Sequence, residues 1–483
     1  MQVTDYSDTI TRRAMQFTNT KIVCTLGPAS AKKETIAEMI QGGMDIARLN
    51  FSHGSHDEKA EKIAWIRELA VQYKKPVAIV GDLQGPKLRL GSFPGTKHIT
   101  KGDIVTLSIE SGKADLPLQM DLAPFLKKGQ RVFLNDGLIE LEVITVTATV
   151  ITAQAQNTGS VTEHKGVNIP DSQLSGNVFT QKDKEDALFA LEHDVDFLAL
   201  SFIQRQEDVA PARSLIQQLN KKTKIIVKIE KQAAINNLAS IIQVSDGVMI
   251  ARGDLGIETK AAEIPIVQQK IITLARQQQK PVIVATQMLE SMIDNPRPTR
   301  AEVSDVASAV LSQADAVMLS AESASGRHPI EAVTTMRDII SSVEQNPDFN
   351  HYIKINWETI SQEELSFNAI ASTAAALAHR IHAPIIVVAT ATGRSAKLLS
   401  SFRPDAHIIA VTHDEKTYRE LCLLWGVTPI IIEPTKQSDT FWNAIHDAIM
   451  TYGYAPKGSK IVMVGGSVVG VSGATDTIKI VAC

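Results

Sequence analysis

Lys224-Ile225-Ile226-Val227-Lys228-Ile229-Glu230 is followed, one helix length later, by Gly247-Val248-Met249-Ile250-Ala251-Arg252-Gly253-Asp254. Both are apolar, β-branched runs of strand length that end in charge. Alternate residues of a strand share a face, so Lys228 and Glu230 point the same way, and Asp254 can arrive from the neighbouring strand. Hard cations such as Mg²⁺ take one or two carboxylates from a protein and complete their shell with substrate oxygens and water. The lysine would then face the anion that the metal holds. The plainer alternative is a structural salt bridge at a strand end, since ion-pair networks also gather charges.

The same pattern recurs along the chain. Runs at Lys21–Leu26, Asp45–Asn50, Val77–Asp82, Asp196–Ser201, Ile225–Glu230, Gly247–Arg252, Pro281–Thr286 and Asp315–Ser320 fit the strand template, and most stop at a polar residue. Amphipathic stretches such as 33–40 and 262–272 lie between them. Alternating strands and helices imply a parallel sheet, and eight such units imply a closed (β/α)8 barrel. The active face of a barrel is its C-terminal rim, which brings Arg48, Asn50, Asp82, Ser201, Lys228, Glu230, Asp254, Thr286 and Ser320 to one site.

Composition bounds the function. At 483 residues, with 44% hydrophobic and 21% charged positions, the chain is expected to fold into about three domains. A net charge of −4 leaves no basic footprint for nucleic acid. No apolar run approaches membrane-spanning length, and the first residues lack the pattern of a signal peptide. Cys24, Cys422 and Cys483 are far apart and have no metal-ligand spacing. A reducing cytoplasm is the expected setting.

The barrel pattern is interrupted after Asp82 until a helix near Thr180. The interruption reads as short strands, among them 103–109, 130–134, 138–144 and 147–153, which predicts a small β-barrel hanging over the active face as a lid. A polar region at 341–365 reads as a linker. Beyond it, strands at 385–389, 408–412, 429–432 and 461–464 predict a C-terminal α/β domain. The expected division is a barrel domain of residues 1–86 and 171–345, a lid of 87–170 and a C-terminal domain of 346–483. In the last, Thr390-Ala-Thr392-Gly393-Arg394-Ser395 opens a helix and could cradle phosphate, with Gly465–Gly470 closing over the same ligand; an ordinary capped helix start is the alternative.

These residues carry a resemblance. Thr20–Ser30, Ala47-Arg-Leu-Asn-Phe-Ser-His-Gly54, Val227-Lys-Ile-Glu230, Ala251-Arg-Gly-Asp-Leu-Gly256, Ala285-Thr-Gln-Met-Leu-Glu-Ser-Met292 and Pro296-Arg-Pro-Thr-Arg-Ala-Glu302 are ordered as in the pyruvate kinases, and the likeness extends over nearly the whole chain. The resemblance implies transfer of the phosphoryl group of phosphoenolpyruvate to ADP, giving pyruvate and ATP. It implies Mg²⁺ or Mn²⁺ on Glu230 and Asp254, Lys228 as the catalytic cation, and Arg48 on the transferring phosphate with Arg89 close by. Backbone at Ala251, Arg252 and Gly253 would meet the substrate carboxylate. Thr286 and Ser320 would edge the pocket as a proton relay. Pro28, Asn50, His53, Arg89 and Lys165 would form the nucleotide side. The phosphate loop would take a phosphorylated activator through Thr390, Thr392, Gly393, Arg394 and Ser395, and the assembly would be a homotetramer.

Three regions depart from the family pattern. Ala321 and Ser323 flank the proposed relay, and Asn135 precedes Asp136 where an aspartate pair is usual. The third departure concerns the monovalent-cation region of Asn50, Ser52, Asp82 and Leu83. Members that require K⁺ carry a glutamate where this chain has Lys87, and Asp82-Leu83-Gln84-Gly85-Pro86-Lys87 resembles the potassium-independent branch. A tethered ammonium could supply the charge that K⁺ supplies elsewhere. A metabolite sensor without activity, or another metal-dependent enzyme of phosphoenolpyruvate or keto acids, remains an alternative, because fold alone does not separate them.

Overall fold

The computed structural model describes residues 18–346, 362–433, 438–466 and 475–483, apart from 111, 113 and 173–177. Strands Lys21–Leu26, Ile46–Asn50, Ala78–Asp82, Phe197–Leu200, Lys224–Ile229, Gly247–Ala251, Val282–Ala285 and Ala316–Leu319 close into one parallel barrel in chain order. Each agrees with its sequence expectation to within a residue at either end. Ser201, Glu230, Thr286 and Ser320 stand just past the hydrogen-bonded ladder, where side chains are free to face a ligand.

Strand parity sorts the side chains. Ile225, Val227 and Ile229 belong to the apolar layer under the helices, whereas Ile226 lies in the barrel interior with Met249, Ala78 and Ala316. Continuing the inward parity past Ile226 delivers Lys228 and Glu230 to the mouth. The same rule takes Ala78 and Val80 to Asp82, Ile46 to Arg48 and Asn50, and Phe197 and Ala199 to Ser201. Two local expectations shift. The stretch expected to be helical from 262 is helix Ile264–Gln277, preceded by a 3-10 turn Ala261–Glu263, because Pro265 fits only the first helical turn. Arg252 does not end a strand but begins helix Arg252–Glu258.

The insert is β-rich and has its own apolar core. Its strands are divided between a six-stranded sheet and a two-stranded sheet of Gly159–Thr162 with Thr96–Ile99, which differs from a single closed barrel. Its long hairpin runs Ile139–Val146 into Val150–Ala155, so the turn falls slightly later than expected; Thr147 sets it by accepting from the Val150 N–H and donating to its carbonyl. The tip Asn135-Asp136-Gly137 has left-handed φ values of 53°, 55° and 85°. A Cβ built on Gly137 would lie 3.5 Å from Ile257, so the lid tip rests against the helix that carries Asp254.

The C-terminal domain is a five-stranded sheet. Strands Ile385–Ala389, His407–Thr412, Val427–Ile431 and Lys460–Gly466 are parallel, and an unexpected antiparallel strand Thr475–Ala482 forms one edge. Pro429 is tolerated because its strand is the other edge. The expected linker is shorter at both ends: helix Pro329–Glu344 runs into it, and helix Gln362–Arg380 begins within it. Ser467–Gly470 lie outside the described residues. This domain closes the barrel floor. Cys422 and Leu423 join the apolar cluster inside the barrel, and the buried Asp196 carboxylate gathers Arg67 at 2.9 Å, Arg419 at 2.8 Å and Lys416 at 3.5 Å. Among the described residues no helix is long and apolar enough to cross a membrane. All three cysteines are free.

Candidate active site

Lys228 is the hub of the barrel mouth. Its Nζ lies 2.8 Å from Glu230 Oε1 and 3.3 Å from Asp82 Oδ1, and it donates to Ser201 Oγ at 2.8 Å. Ser201 passes its own hydrogen bond to the Leu83 carbonyl at 2.7 Å. Burial works against the ammonium charge, but Asp82 and Glu230 outweigh it and hold the lysine pKa well above its usual value. Lys228 is therefore a permanent cation at neutral pH.

Arg48 binds the other Asp82 oxygen through Nε at 2.6 Å and donates from Nη1 to Thr25 Oγ1 at 2.9 Å. Nη2 has no protein partner among the described residues, leaving a donor for a ligand. Burial opposes the Asp82 charge, yet Lys228 and Arg48 prevail and hold its carboxyl below the usual range. Glu230 differs. Burial, reinforced by the Asp254 carboxylate, lifts its pKa above the usual range despite Lys228. Asp82, Glu230 and Asp254 thus outnumber Lys228 and Arg48 by one charge. Among the described residues no group of three or more His, Cys, Asp or Glu side chains gathers to enclose a metal. Two acidic oxygen donors and an open remainder suit Mg²⁺ or Mn²⁺ sharing its shell with substrate.

Thr286 leaves its strand with φ +69°, rare for a β-branched residue, and this turns its hydroxyl toward the neighbouring helix. It accepts the Gly253 N–H at 2.8 Å and donates to the Ala285 carbonyl at 2.5 Å. The Arg252 guanidinium does not face the mouth. It binds the Thr286 carbonyl at 2.7 Å and Asp305 at 2.8 Å, so it clamps the Thr286 loop. Ser320 Oγ is buried without a partner among the described residues. Its backbone N–H donates to Glu322, whose other oxygen accepts the Leu289 N–H.

The remaining expected residues occupy separate walls. Pro28 and His53 are exposed on the barrel rim, and Asn50 accepts the Ser52 N–H at 3.0 Å. Arg89 and Lys165 are neighbours on the lid, where Arg89 donates to the His164 carbonyl at 2.9 Å and Lys165 is exposed. The Leu83 side chain is buried in the main core. Lys87 is exposed and forms no ion pair among the described residues; its Cε lies 3.9 Å from a Cβ built on Gly166. In the C-terminal domain Gly393 takes φ +82° before helix Arg394–Ser401, whose start has no side-chain cap. Thr392 and Arg394 are exposed and Thr390 is buried. Arg394 lies 3.5 Å from Glu364 and over the Phe367 ring, and Ser395 bonds Thr475 at 2.8 Å. Sequence reading passed over Thr25 and Glu322 as supports of Arg48 and Ser320; the only signal was their place beside strand ends.

Comparison with known proteins gives the family. The family model for the pyruvate kinase barrel domain matches residues 17–333, and that for the pyruvate kinase alpha/beta domain matches residues 368–481. Pyruvate kinase 2 of Synechocystis is 41% identical over 475 residues, covering 95% of this chain and 78% of that protein. The pyruvate kinase of Clostridium acetobutylicum is 38% identical over 472 residues, covering 95% and 98%. The crystal structure of a pyruvate kinase from Cryptosporidium parvum superposes with a TM-score of 0.89 at 32% identity over 96% of both chains. Fold, site and relatives define a phosphotransferase built on a (β/α)8 barrel. The chain belongs to the pyruvate kinase family.

Proposed function

We propose that this site moves the phosphoryl group of phosphoenolpyruvate to ADP, with Lys228, Arg48, Glu230 and Asp254 as its working set. The observation that carries the reading is the buried Lys228 ammonium, held charged between two carboxylates at the barrel mouth. Phosphoryl transfer requires little covalent help and is governed by positioning and charge neutralisation. Glu230 and Asp254 would hold Mg²⁺ or Mn²⁺, which when bound neutralises charge on phosphate and enolate oxygens. Lys228 stabilises the charge that grows on the bridging and enolate oxygens as the phosphoryl group departs. Arg48, anchored by Asp82 and Thr25, offers Nη2 to the phosphate. Backbone at Ala251–Gly253 approaches the substrate carboxylate, and Thr286 with the unpartnered Ser320 hydroxyl lines a route for the proton that converts enolate to pyruvate. Pro28, Asn50 and His53 on the rim, with Arg89 and Lys165 on the lid, take the nucleotide.

Finer properties belong to the same reading. Lys87 supplies fixed charge beside Asn50, Ser52, Asp82 and Leu83, so K⁺ is not required. The uncapped helix start at Thr390, Thr392, Gly393, Arg394 and Ser395 takes a phosphorylated activator. The working form is a cytoplasmic homotetramer. A coupled assay of pyruvate formation from phosphoenolpyruvate, ADP and Mg²⁺ tests the central reading. Absence of turnover with all three present would return the chain to the sensor alternative.

A further inference from the structure

We infer that Lys231 and Glu258 form a positioning pair that fixes the two metal-site carboxylates relative to each other; this rests on the reading of Glu230 and Asp254 as metal ligands. Lys231 directly follows Glu230, and its Nζ lies 2.5 Å from Glu258 Oε1 with both residues buried. Glu258 closes helix Arg252–Glu258 and stands one turn after Asp254, on the same face. The ion pair therefore spans from the strand end that holds Glu230 to the helix that holds Asp254.

That helix needs an anchor. It has seven residues; its start is held to the Thr286 loop, whose hydroxyl accepts the Gly253 N–H, and its far end has to be held separately. Among the described residues, the polar side-chain contacts of its far end go to the segment after Glu230, through Lys231–Glu258 and through Thr259 Oγ1 to Gln232 Oε1 at 3.3 Å. The Lys231 ammonium also lies 5.4 Å from the centre of the Phe202 ring. The Phe202 N–H donates to Glu230 Oε2 at 2.8 Å, from a backbone held at φ +60°. One ammonium thus touches both elements that aim the acidic pair. It also neutralises a third carboxylate on the Asp254 face, which would otherwise add repulsion to a site already short of positive charge.

The test is Mn²⁺ binding to the full chain, read from the electron paramagnetic resonance of free Mn²⁺, beside the metal dependence of turnover. Lys231→Met and Glu258→Gln should each weaken Mn²⁺ binding by about 10-fold or more. Half-saturating metal should rise in parallel, with kcat at saturating metal within about twofold of wild type. The double variant should bind no worse than the poorer single variant, because both remove one interaction. Lys231→Arg should retain most of the affinity. If either single variant fails to fold, the double variant, which buries no lone charge, gives the measurement. Wild-type Mn²⁺ affinity in a folded double variant overturns the inference. Glu230→Gln separates the two layers: its binding Mn²⁺ like wild type sinks the metal-site reading, whereas lost binding there with unchanged binding in Lys231→Met sinks only the positioning role.

Discussion

Lys228 and Glu230 meet at 2.8 Å with both side chains almost wholly buried, although they are only two residues apart on one strand. Two inward positions of a barrel strand thus place a fixed cation beside a carboxylate that its surroundings push toward neutrality. Were Glu230 to hold a divalent ion, as proposed, Lys228 would be left free to face an anionic substrate.

Lys228→Met should lower kcat by about 10²–10³ or more with little change in KM for phosphoenolpyruvate, because the lost interaction strengthens in the transition state. It also leaves Glu230 buried without its cation, while Asp82 keeps Arg48, at a cost of about 3–5 kcal/mol. Thermal denaturation of the same sample separates unfolding from lost chemistry. Near-normal turnover in the folded variant removes Lys228 from the mechanism.

On the proposed role of Lys87, turnover in tetramethylammonium buffer should match that in K⁺ buffer. Lys87→Glu should lower the rate steeply and bring back a response to K⁺, incompletely because the buried Leu83 side chain offers no ligand for a cation. A wild-type rate that appears only when K⁺ is added contradicts this.

Phosphoenolpyruvate saturation should be sigmoidal and shift to lower concentration with a phosphorylated sugar or nucleotide. Arg394→Ala should abolish the shift and leave the basal rate intact, since Arg394 lies in the other domain, paired with Glu364 and stacked on Phe367. If no phosphorylated metabolite moves the curve, the loop is an ordinary helix start.

Glu420 has one buried carboxylate oxygen without a hydrogen-bond partner among the described residues, and burial pushes its pKa up to about 7. The folded chain therefore keeps a proton between about pH 4.5 and 7 that the unfolded chain has released, so the Glu420 contribution to stability falls as pH rises through that window and is constant above it. The full effect is about 3 kcal/mol. Glu420→Gln should raise the melting temperature at pH 8 and leave it unchanged near pH 4.5. An equal gain at both values would point to packing instead.

Asp196→Asn should destabilise by about 3–5 kcal/mol, because Arg67, Arg419 and Lys416 lose the carboxylate they share beneath the barrel. Two of these cations belong to the C-terminal domain, so limited proteolysis should release that domain earlier than in wild type. Unchanged denaturation and cleavage would show that the apolar plug of Cys422 and Leu423 suffices to hold the floor.

The barrel and its charged rim were legible because they follow from local periodicity. Strand parity alone carries Ile226 inward and therefore Lys228 and Glu230, and the same holds for Arg48 and Asp82. Edge strand Thr475–Ala482 escaped notice because it is half exposed and lacks the continuous apolar run of a buried strand. The boundary at 341–365 misled because a polar helix end is hard to tell from a linker by composition.

By itself the sequence determined which barrel strands exist, which of their ends meet and which charges they carry to the mouth, since a period of two is a property of neighbouring residues. Only the tertiary structure decided that Arg252 turns away to clamp the Thr286 loop, that Thr286 caps Gly253, that Glu322 holds the Ser320 turn, and that Lys231 reaches Glu258. Apart from the Glu322–Ser320 contact, each joins residues about 30 positions apart on different elements. Their partners are chosen by how the strands close and the helices seat, and no local pattern encodes that choice.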